Sequence, residues 1–117
     1  MSITEERKQE IAKSLKRCSD ATLAAALRFE ETRDLDELPA IILGVLERDA
    51  AKPKPEGVAA ATDESRLIED IGMDSFGMIE VVMTAEEVLG ITVATQEMND
   101  IRTLGQLKKF LRVKLSA

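Results

Sequence analysis

The chain of 117 residues has no histidine, no tryptophan, no tyrosine and one cysteine, Cys18. Without histidine, the commonest general base and the commonest metal ligand are missing. A self-contained Ser-His-Asp or Cys-His catalytic group is therefore excluded. A lone cysteine forms no intramolecular disulfide and fits a reducing compartment. Aromatic residues make up 3% of the chain, all of them phenylalanine. Stacking platforms for single-stranded nucleic acid are thus lacking, and the core must rest on Ile, Leu, Val, Met and Ala. No apolar run approaches the ~18 residues of a membrane span. The acidic start Met1-Ser2-Ile3-Thr4-Glu5-Glu6 does not read as a signal peptide. These absences predict a cytoplasmic protein with no membrane insertion.

What is present is charge and helical periodicity. Charged residues make up 32% of the chain, and the net charge is −6. That balance repels phosphate backbones and anionic membranes and is complementary to a basic protein patch. The carboxylates are scattered and form no metal-ligand cluster, so no metal site is expected. Residues 3 to 18 read as a helix capped by Ser2 or Thr4, with a thin stripe of Ile11, Leu15 and Cys18. Cys18 closes the stripe as a small buried hydrophobe. Ser19-Asp20 opens a second helix through about Glu31, bearing Leu23, Leu27 and Phe29, unless the two helices fuse. Leu15, Leu23 and Leu27 are too apolar for a solvated tail, so residues 1–33 are expected to pack on the remainder.

Residues 36 to 49 predict a helix capped near Asp36, because Pro39 is tolerated only in a first turn. Gly44 inside it implies close packing or simple tolerance. Residues 50 to 66 predict a long loop, in which Lys52-Pro53-Lys54-Pro55-Glu56-Gly57 is a solvated linker or a partner-reading patch. Leu67 anchors it back on the core. Gly90 ends a helix over 75–89. Thr95 to about Asp100 makes a helical turn or two, with Met98 inward. A Thr103-Leu104-Gly105-Gln106 capping box starts a last helix burying Leu104, Leu107, Phe110 and Leu111.

The helix over 75–89 has a wide apolar arc: Met78, Ile79, Val81, Val82, Met83, Ala85, Val88 and Leu89. So wide an arc predicts contact with neighbours on several sides. The exposed strip is expected to be Gly77, Glu80, Thr84 and Glu87. Gly72 permits a turn before this helix, and Asp74 and Ser75 are good helix starters. From the residues alone, Ser75 is either a cap or a solvent-facing serine poised for a covalently attached phosphate at the positive end of the helix.

The stretch Glu69-Asp70-Ile71-Gly72-Met73-Asp74-Ser75-Phe76, with Glu80, Glu86 and Glu87 following, resembles the attachment region of acyl carrier proteins. There an acidic pair, an apolar residue, Gly, any residue and Asp-Ser-Leu open an acidic helix. The resemblance covers roughly residues 36 to 115. It implies an all-α fold, a four-helix carrier bundle with an extra N-terminal helix or helical hairpin. It divides the chain into an extension, 1–33, and an acyl-carrier-like domain, 34–117.

The resemblance further implies that a phosphopantetheinyl transferase moves 4′-phosphopantetheine from coenzyme A onto Ser75, flanked by Asp74. The arm then carries acyl groups as thioesters for fatty acid, lipid or polyketide biosynthesis. The chain is then no enzyme but a monomeric substrate of ketoacyl synthases, dehydratases, reductases and acyltransferases. Glu69, Asp70, Asp74, Phe76, Met78, Glu80 and Glu87 would form the surface those partners read. Two positions depart from the pattern: Phe76 replaces the usual Leu, and Gly77 a polar or acidic residue. With the extension, they suggest a specialised carrier. A peptidyl or aminoacyl carrier, or a structural module of the same fold, remains the alternative.

Overall fold

The computed structural model describes residues 3–52 and 57–116. Six α-helices lie among them: α1 (Glu5–Ser14), α2 (Asp20–Thr32), α3 (Leu38–Asp49), α4 (Ser75–Leu89), α5 (Thr95–Met98) and α6 (Leu104–Ser116). Two 3-10 turns, Leu35–Glu37 and Gly57–Ala60, join them, and no strand occurs among the described residues. The all-α fold is therefore the observed one. Pro53, Lys54, Pro55 and Glu56, central to the predicted loop patch, lie outside the described residues, as does Ser2.

Local chemistry places the helix ends. Thr4 caps α1 by accepting from Arg7 N at 3.1 Å, and Ser19 caps α2 by accepting from Thr22 N at 3.2 Å. The single helix expected over 3–18 stops at Ser14. Arg17 has φ 72°, a left-handed backbone that turns the chain and separates α1 from α2. Asp34 caps the 3-10 turn, and α3 starts two residues later than expected, with Pro39 in its first turn. Thr103 Oγ1 accepts from Gln106 N, and Gln106 Oε1 accepts from Thr103 N, which completes the capping box of α6.

One hydrophobic core runs through all of this. Ile11 from α1, Leu15 just after it, and Ala25, Ala26 and Phe29 from α2 belong to the same buried cluster as Leu46, Leu67, Val88 and Leu104. The face α2 buries is Thr22, Ala25, Ala26 and Phe29; Leu23 and Leu27 are only half-buried. Small residues there let α2 approach α3. A Cβ on Gly44 would collide with the Thr22 side chain, so close packing is the reason for that glycine. Cys18 is half-buried, and its thiol donates to Gly44 O at 3.8 Å. The Cα radius of gyration is 13.5 Å. That matches the ~13 Å expected of one compact domain of this length and leaves no room for a detached arm.

Candidate functional site

Ser75 is the first residue of α4, and it is exposed. Asp74 caps the helix by accepting from Gly77 N at 2.6 Å. The N–H groups of Ser75 and Phe76 lie in the first turn of α4, where a helix offers them no acceptor. The preceding turn is tied down from inside. Leu67, Ile71 and Met73 are buried, and Met73 N donates to Leu67 O at 3.0 Å. Gly72 has φ 94°, and its N–H donates to Ile68 O at 3.2 Å.

The end of α3 passes directly beneath this turn. Lys52 N donates to Gly72 O at 3.0 Å, and a Cβ on Gly72 would collide with Lys52 O. A Cβ on Gly77 would lie 2.6 Å from Asp49 O. Gly77 is buried for that reason, which corrects its expected place on the exposed strip. Thr84 is also buried; its hydroxyl accepts from Arg48 Nη2 at 2.7 Å and donates to Glu80 O at 2.9 Å.

The apolar arc of α4 is not wholly covered, contrary to expectation. Phe76, Ile79 and Met83 are 69%, 58% and 50% exposed. At ~100° per residue they share one strip with Ser75 at its edge. Beside it lies an open cleft of ≈ 280 Å³ between α4 and α5, lined by Met78, Ile79, Val82, Met83, Glu86, Val93, Ala94, Thr95 and Met98. Its lining is mainly apolar. Glu86 is held against the backbone by accepting from Val93 N at 3.0 Å.

Residues 40–111 match the family described as the phosphopantetheine attachment site. An acyl carrier protein of Thermotoga maritima is 33% identical over 54 residues, 46% of this chain and 67% of that protein. The chain belongs to the acyl carrier protein family. No solved structure matches it. The family's covalently bound prosthetic group is 4′-phosphopantetheine. The site fits such a group: an exposed hydroxyl, first-turn N–H groups to face a phosphate, and an apolar cleft alongside.

The other residues expected to be read by partners of this carrier separate into three places. Phe76 and Met78 flank the serine, Met78 on the cleft side. Glu69 and Asp70 are exposed but face Arg66. Its Nε and Nη2 donate to the Asp70 carboxylate at 3.1 Å each, and its Nη1 lies 3.4 Å from Glu69 Oε2. Glu80 and Glu87 lie ~120–140° around α4 from Ser75, across the apolar strip. Glu80 is half-buried. Glu87 accepts from Ser14 Oγ of α1.

Sequence reasoning missed Arg7, Arg48 and Arg66. Arg7 Nη2 donates to Glu87 O at 3.0 Å and Val88 O at 3.2 Å. Arg48 is 7% exposed and paired with Asp49, itself 6% exposed; it also donates to Ser14 O at 2.7 Å. The hydrogen bond to Asp49 raises the pKa of Arg48 above the usual guanidinium value. Arg66 was legible: its spacing of three and four residues to Glu69 and Asp70 is the spacing of one turn. Arg7 and Arg48 also reach partners more than 30 residues away in sequence, which no local spacing marks.

Proposed function

We propose that Ser75 carries the 4′-phosphopantetheine arm, and that the chain presents acyl groups on it to enzymes of fatty-acid, lipid or polyketide assembly. The observation that carries this reading is the exposed Ser75 hydroxyl at the start of α4, beside an apolar cleft. When bound, the arm supplies a terminal thiol that holds an acyl group as a thioester. Asp74 holds the first turn by taking Gly77 N, and so fixes where the hydroxyl points. The N–H groups of Ser75 and Phe76 favour the negative charge of the attached phosphate. The buried Leu67, Ile71 and Met73 keep the turn rigid beneath them.

Residues 34–117 form the carrier unit in this reading, and residues 1–33 an addition that shares its core. The partners are a phosphopantetheinyl transferase and acyl-processing enzymes such as ketoacyl synthases, dehydratases, reductases and acyltransferases. The apolar lining of the cleft favours an alkyl cargo over an aminoacyl one. A reducing cytoplasm agrees with the free Cys18 thiol, whose pKa is raised chiefly by burial.

Incubation with coenzyme A and a broad-specificity phosphopantetheinyl transferase tests the assignment. Intact mass should rise by one phosphopantetheine in the wild type and not at all in Ser75→Ala. An unchanged wild-type mass, or modification of the alanine variant, overturns it.

A further inference from the structure

Ser75 and Glu86 lie eleven residues apart in α4, which places them about 20° from each other around the helix. Between them on that face stand Ile79 and Val82, with Met78 and Met83 to either side, and all four line the cleft against α5. The apolar track that starts at the serine thus runs onto a carboxylate. Glu86 is half-buried, and among the described residues it is the one charged side chain of the cleft lining. Its Oε2 accepts from Val93 N at 3.0 Å, and among the described residues no cation pairs with it. Lys114, the cation bound to α5, is taken by Glu97 at 2.9 Å. The negative charge at the end of the track is therefore not offset by an ion pair.

From this we infer that Glu86 is the specificity-determining residue of the cleft: it admits uncharged acyl chains, including ones that carry a hydroxyl, and turns away chains that end in a carboxylate. The inference rests on Ser75 carrying the arm, and it adds a choice by charge that the apolar lining cannot make. Two like charges brought together between apolar walls repel more strongly than in open water. An ionised carboxylate only accepts hydrogen bonds, so Glu86 offers a carboxylate guest no partner. A hydroxyl guest, in contrast, can donate to it. Glu86→Gln separates charge from structure, because the amide oxygen of glutamine can still accept from Val93 N.

The test loads the full chain from three acyl-coenzyme A thioesters with a broad-specificity phosphopantetheinyl transferase. The three cargoes are octanoyl, the same chain ending in a hydroxyl, and the same chain ending in a carboxylate. The readouts are the rate of thioester cleavage by hydroxylamine and the methyl NMR signals of Ile79, Val82 and Met98. The octanoyl and hydroxyl-ended chains should move those signals and be cleaved about tenfold more slowly than the same thioesters of free pantetheine. The carboxylate-ended chain should leave the signals as the bare arm leaves them and be cleaved within about twofold of its free thioester. Glu86→Gln should slow cleavage of the carboxylate-ended chain by about fivefold and leave the octanoyl rate and the melting temperature unchanged. A carboxylate-ended chain protected like octanoyl in the wild type, or excluded equally by Glu86→Gln, overturns this inference alone. So does exclusion of the hydroxyl-ended chain, which would make polarity and not charge the criterion, and so does an octanoyl chain that moves none of the three signals. If Glu86→Gln loosens the fold, the three wild-type cargoes still decide. A wild-type protein that takes up no arm overturns the Ser75 reading and this inference with it.

Discussion

At Gly77 a hydrogen atom stands where any other residue would press a Cβ to 2.6 Å from Asp49 O. The obstacle is backbone at the end of α3, so it cannot rotate away. Gly77→Ala should therefore cost about 1–3 kcal/mol through overpacking, read as a lower urea midpoint with unchanged slope. Methionine at the neighbouring Arg48 tests a different force. Arg48→Met leaves the Asp49 carboxylate, 6% exposed, without its partner, and should cost about 3–5 kcal/mol. Adding Asp49→Leu should restore part of that loss, because the uncompensated charge is then gone. A double variant as unstable as the single one would show that the links to Ser14 and Thr84, not the ion pair, hold this junction.

Among the elements, α5 is one turn long and depends on Glu97. Its carboxylate accepts from Ala94 N at 2.8 Å and from Lys114 Nζ at 2.9 Å. The backbone hydrogen bond first, and then Lys114, lower its pKa below the ordinary value of 4.5. A carboxylate with a lowered folded-state pKa stabilises the fold above the ordinary value, and that contribution is lost as pH falls through the lowered one. As pH falls through that lowered value the α5 cap should therefore loosen, and with it one wall of the apolar cleft. The Ala94 amide signal should shift with Glu97 titration, and the shift should vanish in Glu97→Gln. An Ala94 amide indifferent to pH in the wild type would separate α5 from this carboxylate.

Over the whole molecule, the N-terminal hairpin and the carrier helices share one core, and Phe29 is the largest fully buried side chain in it. Phe29→Ala should cost about 3–5 kcal/mol. Because α1 and α2 are packed into the same cluster as α3, α4 and α6, unfolding should stay a single transition by circular dichroism and by a probe placed in α6. A variant that loses helix in two steps would make the hairpin a separate unit.

The caps of α1, α2, α4 and α6 and the glycine turn before Ser75 were legible from the sequence, because each is written in neighbouring residues, whereas the cap expected near Asp36 gave way to a 3-10 turn capped by Asp34. A cap needs a side chain and an N–H three residues on, and Gly90 needs only its own φ of 71°. Which face of α4 lies open could not be read in the same way. The helix carries more apolar surface than its neighbours cover, and hydrophobicity alone cannot say which part is left over. Arg7 and Ser14 of α1 meet the Glu87 end of α4, Arg48 of α3 reaches Thr84, and Asp49 closes on Gly77, through contacts between residues 28 to 80 positions apart. Only the tertiary arrangement brings such pairs together. It buried a glycine and a threonine assigned to solvent and left Phe76, Ile79 and Met83 exposed beside the serine.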